Sequence, residues 1–141
     1  MHQTKEIKVF IIEDDFVFIE ILTNIIDSIN EEIAEKKIKI VYNTYYSAKE
    51  AGFELSCNPD IVLLDYFIMD DELNADTGTK LLRDIKEHDA SIEVIVVSGQ
   101  ESADVKDDLL KKGATAYISK DENSLATLKP LLMEIVTKRF A

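Results

Sequence analysis

The sequence predicts a doubly wound α/β protein, with one parallel sheet covered by helices on both faces. Three observations predict it. Five short apolar runs rich in β-branched residues alternate with five amphipathic stretches along 141 residues. Several of these runs are continuously apolar, as strands buried on both faces are. Their ends break abruptly into acidic, hydroxyl or basic residues, where a strand gives way to a loop.

Ile7-Lys8-Val9-Phe10-Ile11-Ile12 is the first strand, and it breaks into Glu13-Asp14-Asp15. From Phe16, the residues Phe18, Ile21, Leu22, Ile25, Ile26 and Ile29 recur at helical spacing, with Asp14 or Asp15 available as N-cap. Ile38 to Tyr42 is the second strand and Ser47 to Cys57 a helix of weaker periodicity. Pro59 to Leu64 is the third strand, closing on Asp65. Leu81, Leu82 and Ile85 mark a third helix over Thr79 to Glu87, after an irregular, acidic loop from Phe67 to Thr77. Ile92 to Val97 is the fourth strand, ending at Ser98-Gly99. Ser102 to Lys112 is the fourth helix, stopped by Gly113, a residue suited to a left-handed C-terminal position. Ala114 to Ser119 is the fifth strand. Leu125 to Arg139 is the last helix, with a core stripe of Leu125, Leu128, Leu131, Leu132 and Ile135 and a second strip of Met133, Val136 and Phe140.

Composition narrows the function classes. The length matches a single domain spanning 1–141, without a repeat or linker to mark a second one or an output domain. No apolar run approaches the roughly 20 residues of a membrane span, and the N-terminus lacks a signal peptide's pattern, so a cytoplasmic setting is expected. The one cysteine, Cys57, sits in an apolar stretch that suits a buried thiol. A net charge of −12 without a Lys/Arg stripe argues against nucleic-acid binding. His2 and His88 have no metal-ligand partners nearby in sequence, and Met69 is no sign of a cofactor.

In open parallel sheets the site lies beyond the carboxyl ends of the strands. Those ends carry Glu13, Asp14 and Asp15, then Asp65, then Ser98, then Lys120. Crowded carboxylates repel unless a cation joins them, and an all-oxygen set selects a hard ion, Mg²⁺ or Mn²⁺. Magnesium shared with phosphate oxygens, beside a lysine and a hydroxyl, points to phosphoryl chemistry. Each residue has a plainer reading alone: Asp14 and Asp15 as helix caps, Asp65 as a loop acid, Ser98 as a turn former, Lys120 as a surface lysine. Their joint placement at strand ends favours the site.

The chain resembles the receiver domains of two-component response regulators along essentially its whole length. The resemblance is carried by Phe10-Ile11-Ile12-Glu13-Asp14-Asp15, Pro59-Asp60-Ile61-Val62-Leu63-Leu64-Asp65, Val96-Val97-Ser98-Gly99 and Gly113-Ala114-Thr115-Ala116-Tyr117-Ile118-Ser119-Lys120. It implies a flavodoxin-like (βα)5 fold with strand order 2-1-3-4-5. It implies that Asp65 is the phosphoacceptor, that Asp14 ligates magnesium directly and Glu13 through water, and that the Phe67 carbonyl adds a further ligand. Ser98 is then the switch hydroxyl, Lys120 the phosphate-contacting lysine and Tyr117 the switch aromatic. The implied partners are a histidine kinase or histidine phosphotransfer protein and an effector on the fourth-helix to fifth-helix face, with room for a homodimer. Such a domain is a signalling switch rather than an enzyme.

Two departures stand out. Receivers usually place a proline soon after the acceptor and a glycine about eight residues past it, whereas here Gly78 comes about five residues later and the loop is acidic. Lys120 is followed by Asp121 instead of the frequent proline, and a cis bond without proline would cost about 2.5–4 kcal/mol. Two rivals remain. A haloacid-dehalogenase-like phosphatase needs a second acid two residues after its nucleophile, where this chain has Phe67. A degenerate receiver that docks constitutively is opposed by the intact set of Glu13, Asp14, Asp65, Ser98 and Lys120.

Overall fold

A computed structural model of the protein describes residues 3–68, 77–99 and 102–140. The strands are β1 (Lys5–Ile12), β2 (Ile38–Tyr45), β3 (Ile61–Asp65), β4 (Glu93–Ser98) and β5 (Ala116–Ser119). The helices are α1 (Phe16–Ile33), α2 (Ala48–Phe53), α3 (Thr77–His88), α4 (Ala103–Lys111), a short α5 (Glu122–Leu125) and α6 (Leu128–Phe140). All neighbouring strands pair in parallel, in the order β2-β1-β3-β4-β5. This is the doubly wound, flavodoxin-like sheet that the sequence predicts.

Strand residues alternate between two cores, because successive side chains leave a strand on opposite faces. Val9, Ile11, Leu63 and Val97 pack with Leu22, Ile26 and Ile29 of α1 and Leu128 and Leu132 of α6. Phe10, Ile12, Val62, Leu64 and Val96 pack instead with Ala51 of α2, Leu81, Leu82 and Ile85 of α3, and Leu109 of α4. Both faces are therefore covered, which is why the runs are continuously apolar. β2 extends to Tyr45 through the pairs Ile11–Thr44 and Ile12–Tyr45. Tyr45 is buried edge-to-face against Phe10, its ring centroid 4.8 Å away.

Three sequence expectations change. The last helix is not continuous: Asp121 caps α5 through Ser124 N–H at 2.8 Å, and α6 begins afresh at Leu128. Pro130 explains the break, since a proline lacks the N–H and its ring would collide with the carbonyl four residues earlier, at Ala126. In the first turn of α6 the same proline is tolerated. Val136 belongs to the core instead of to a second strip beside it, and Met133 packs against that core half-buried; the side chain of Phe140 lies outside the described residues. Cys57 is exposed, because its chain forms a 3₁₀ turn (Leu55–Cys57) in which Leu55 takes the inward position. His88 is exposed and meets the Asn58 side-chain oxygen at 3.2 Å. His2, Met69 and most of the acidic loop lie outside the described residues.

Candidate functional site

The strand order sets β1, β3, β4 and β5 side by side, so the residues at their carboxyl ends share one edge of the sheet. Asp65 is the last residue of β3 and Ser98 the last of β4, while Glu13 follows β1 and Lys120 follows β5. Backbone bonds fix their relative height. Glu13 N–H donates to Tyr45 O at 3.0 Å, Tyr66 N–H to Val97 O at 2.9 Å, and Lys120 N–H to Ser98 O at 2.8 Å. The lysine is thus tied through its own backbone to the serine residue beside it.

Glu13, Asp14 and Asp65 each offer a carboxylate oxygen within 4.8 Å of the others. Glu13 and Asp65 are buried, 1% and 5% exposed, whereas Asp14 opens to solvent. Lys120 Nζ lies 2.5 Å from Glu13 Oε1 and 3.8 Å from Asp65 Oδ1, the latter oxygen also accepting from Phe67 N–H at 3.1 Å. Asp15 stands outside the cluster as the N-cap of α1, accepting from Val17 N–H at 3.0 Å and Phe18 N–H at 3.4 Å. Of the two candidates for that cap, Asp15 takes it and Asp14 is left to the pocket.

Burial is the chief force on Glu13. Desolvation and the adjoining Asp65 carboxyl raise its pKa from the ordinary 4.5 to about 8, against the downward pull of Lys120. Its second oxygen, Oε2, is buried without a hydrogen-bond partner among the described residues. A buried carboxylate oxygen without a donor is costly unless a proton or a group outside the chain satisfies it. A hard divalent cation among Glu13, Asp14 and Asp65 fits that oxygen and that all-oxygen set, and magnesium would retain waters there. Such binding must expel the proton from Glu13. Magnesium affinity is therefore expected to rise up to about tenfold per pH unit from about pH 6 to 8, and titration calorimetry at several pH values would read it. A flat profile would exclude Glu13 as the proton lost.

Two further residues shape this pocket, Phe18, which the sequence marks only as helix core, and Gly78, which it marks only as late. Lys120 Nζ sits 4.4 Å from the ring centroid of Phe18, a residue that pattern alone assigns to the helix core. Gly78, in the first turn of α3, lies against the backbone of Tyr66: a Cβ there would come 2.9 Å from Tyr66 Cα and closer still to its carbonyl oxygen. The late glycine in the sequence was the one available signal for this contact.

Around the corner of the sheet, half-buried Tyr117 on β5 lines a groove of about 430 Å³ with Ser102, Lys106 and Ser119. No described helix is long and apolar enough to cross a membrane.

Taken together, a 2-1-3-4-5 parallel sheet with acids and a lysine gathered on its carboxyl edge defines a doubly wound protein of the CheY-like class. The chain belongs to the response regulator receiver family: the family model described as response regulator receiver domain matches residues 9–131. Solved structures agree. A signal receiver domain of a DNA-binding response regulator from Colwellia psychrerythraea 34H is 24% identical, with a TM-score of 0.72, over 93% of this chain and 98% of that one. The receiver in a CheX-CheY-BeF3-Mg²⁺ complex from Borrelia burgdorferi is 25% identical, with a TM-score of 0.69, over 94% and 89%. A Francisella response regulator receiver domain is 26% identical, with a TM-score of 0.62, over 95% and 98%. A search of curated proteins finds no match. Receiver domains of this family are switches of two-component signalling rather than classical enzymes.

Proposed function

We propose that this receiver accepts a phosphoryl group on Asp65 from the phosphohistidine of a histidine kinase or phosphotransfer protein, and thereby switches a protein-binding surface. The observation that carries the reading is the Lys120 ammonium held between the buried carboxylates of Glu13 and Asp65, 2.5 and 3.8 Å away. An acid destined to become an acyl phosphate needs such a cation within reach, because phosphoryl transfer is driven by positioning and charge neutralisation.

In the step itself, an Asp65 oxygen forms a new bond to phosphorus while the donor's N–P bond breaks and its electron pair returns to the imidazole. Phe67 N–H, bonded to Asp65 Oδ1, orients the carboxylate so that one oxygen faces the incoming group. Lys120 moves from Glu13 toward the new phosphoryl oxygens, and Ser98 Oγ donates a further hydrogen bond. Magnesium held by Glu13, Asp14, Asp65 and the Phe67 carbonyl would supply Lewis-acid neutralisation of the phosphoryl charge; Mn²⁺ suits the same donors. The magnesium and CheX of the Borrelia burgdorferi complex are consistent with this chemistry and with a protein partner.

The backbone connection at Ser98 supports a reading of the output. Lys120 N–H is bonded to Ser98 O, and Tyr117, on the strand that Lys120 follows, lies at the groove between α4, β5 and α5. A shift of Ser98 toward phosphate would therefore move Tyr117 and change the face of α4, β5 and the last helix, α6, that an effector reads. A constitutive docking role has no need of a buried lysine-bridged acid pair, so the phosphoacceptor reading is preferred.

The expected result is an acid-stable, base-labile adduct after incubation with Mg²⁺ and a small acyl phosphate, detected by mass. It should vanish in Asp65→Asn. No adduct in the wild type, or one that survives the substitution, overturns the reading.

A further inference from the structure

We propose that Phe18 is a positioning residue whose ring face holds the Lys120 ammonium between Glu13 and Asp65 and so sets the rate at which Asp65 accepts a phosphoryl group. The inference rests on the phosphoacceptor reading for its consequence, and on geometry for its premise.

Lysine carries its charge on a flexible four-carbon stem, and placing that charge loses rotamer entropy. In this protein the stem ends at three neighbours: Glu13 Oε1 at 2.5 Å, Asp65 Oδ1 at 3.8 Å and the Phe18 ring at 4.4 Å from its centroid. That last distance lies well inside the roughly 6 Å range of a cation–π contact. The ring is a fixed object. Phe18 is 5% exposed, packed in the core with Leu22 and Ile118, and its N–H is anchored to the capping carboxylate of Asp15.

The chemistry of the three neighbours differs in a way that matters. Glu13 holds the ammonium through a short contact of 2.5 Å, and a firm grip there would keep Lys120 from the acceptor. An aromatic face attracts a cation through its quadrupole while carrying no net charge. It can therefore keep the ammonium in the pocket when Glu13 releases it, without becoming a rival counterion to the phosphoryl group. Lys120's side chain is only 20% exposed, so the ring faces a cation largely stripped of water, where such contacts are strongest. An aliphatic residue at position 18 would fill the same space and lack this attraction.

The test separates ring electronics from ring volume. 3,4,5-Trifluorophenylalanine at position 18 nearly preserves shape but drains the ring face of negative charge; Phe18→Leu removes the ring. The expected result for the fluorinated protein is a roughly three- to thirtyfold slower adduct formation from a small acyl phosphate, with an unchanged thermal midpoint. A fluorinated protein as fast as wild type overturns the proposal, whatever Phe18→Leu does, because the ring would then serve only as filling. Should the wild type form no adduct, the phosphoacceptor reading fails by itself, and NMR then judges the placement of Lys120. Upfield ring-current shifts of its ε-methylene protons, lost in Phe18→Leu, support the placement; ordinary shifts in the wild type overturn it.

Discussion

Lys120→Met is expected to slow adduct formation at Asp65 by about 10²–10³-fold, the range seen when one preorganised charge-stabilising donor is removed from a reacting site. Methionine keeps much of the stem and deletes the ammonium, so the loss falls on chemistry instead of packing. A second signature separates this effect from general damage. Lys120 is the cation beside Glu13, a carboxylate 1% exposed, and breaking a buried pair typically costs about 3–5 kcal/mol when the remaining charge stays ionised. Glu13 can avoid that penalty by taking a proton. In the wild type without metal its folded pKa is already raised from 4.5 to about 8, so the folded state binds more protons than the unfolded chain across that window. Stability attributable to this group therefore falls as pH rises from about 4.5 through 8. Removing Lys120 takes away the hydrogen bond and the charge attraction that pull Glu13 down, so the decline extends to higher pH. Thermal midpoints against pH, with and without Mg²⁺, would read both curves; identical slopes in the two proteins would show that Lys120 does not govern Glu13.

The sequence made the sheet legible because burial on both faces leaves an unmistakable run, as in Ile61-Val62-Leu63-Leu64. It made the pocket legible because strand ends in such a sheet converge, which sets Glu13, Asp65 and Lys120 side by side. Where it misled, a local pattern had two outcomes decided by tertiary contacts. Leu55 and Cys57 are both apolar and two residues apart, and only the turn determines which of them faces inward. Val136 looks like part of a separate strip until α6 starts at Leu128 and turns it to the core. Phe18 fits the α1 core stripe equally well whether or not a lysine rests on its face; periodicity records that a residue is buried, not what stands above it. Glu13 is the subtler case. Its identity as an acid was plain, but the degree of its burial, and hence its proton, depends on how the strand ends close over it.

Gly78→Ala should be strongly disruptive, and intrinsic propensity predicts the reverse. In a helix, alanine is favoured over glycine by about 0.8–1.0 kcal/mol, so an open position would gain stability. Gly52 in α2 is such a position, with no atom within 4 Å of an added Cβ, and Gly52→Ala is the matched control. At Gly78 the added carbon would land against the Tyr66 carbonyl oxygen, Cα and carbonyl carbon. These are backbone atoms, and no rotamer change can clear them. Either α3 moves outward, losing contacts made by Leu81, Leu82 and Ile85, or the chain at Tyr66 is pushed back. Overpacking of this kind typically costs about 1–3 kcal/mol. The second route reaches the site directly, since Tyr66 joins Asp65 to Phe67, whose N–H orients the Asp65 carboxylate. A displacement of about 1 Å at a reacting group can cost about a hundredfold in rate, so adduct formation should fall more than stability does. Chemical denaturation and acyl-phosphate kinetics on Gly78→Ala and Gly52→Ala together decide it. Should the two variants behave alike, the close approach of α3 to the acceptor segment is not what holds Asp65 in place. If they differ as expected, the late glycine is explained: however far it stands from Asp65 in sequence, it packs at a backbone contact that admits no side chain.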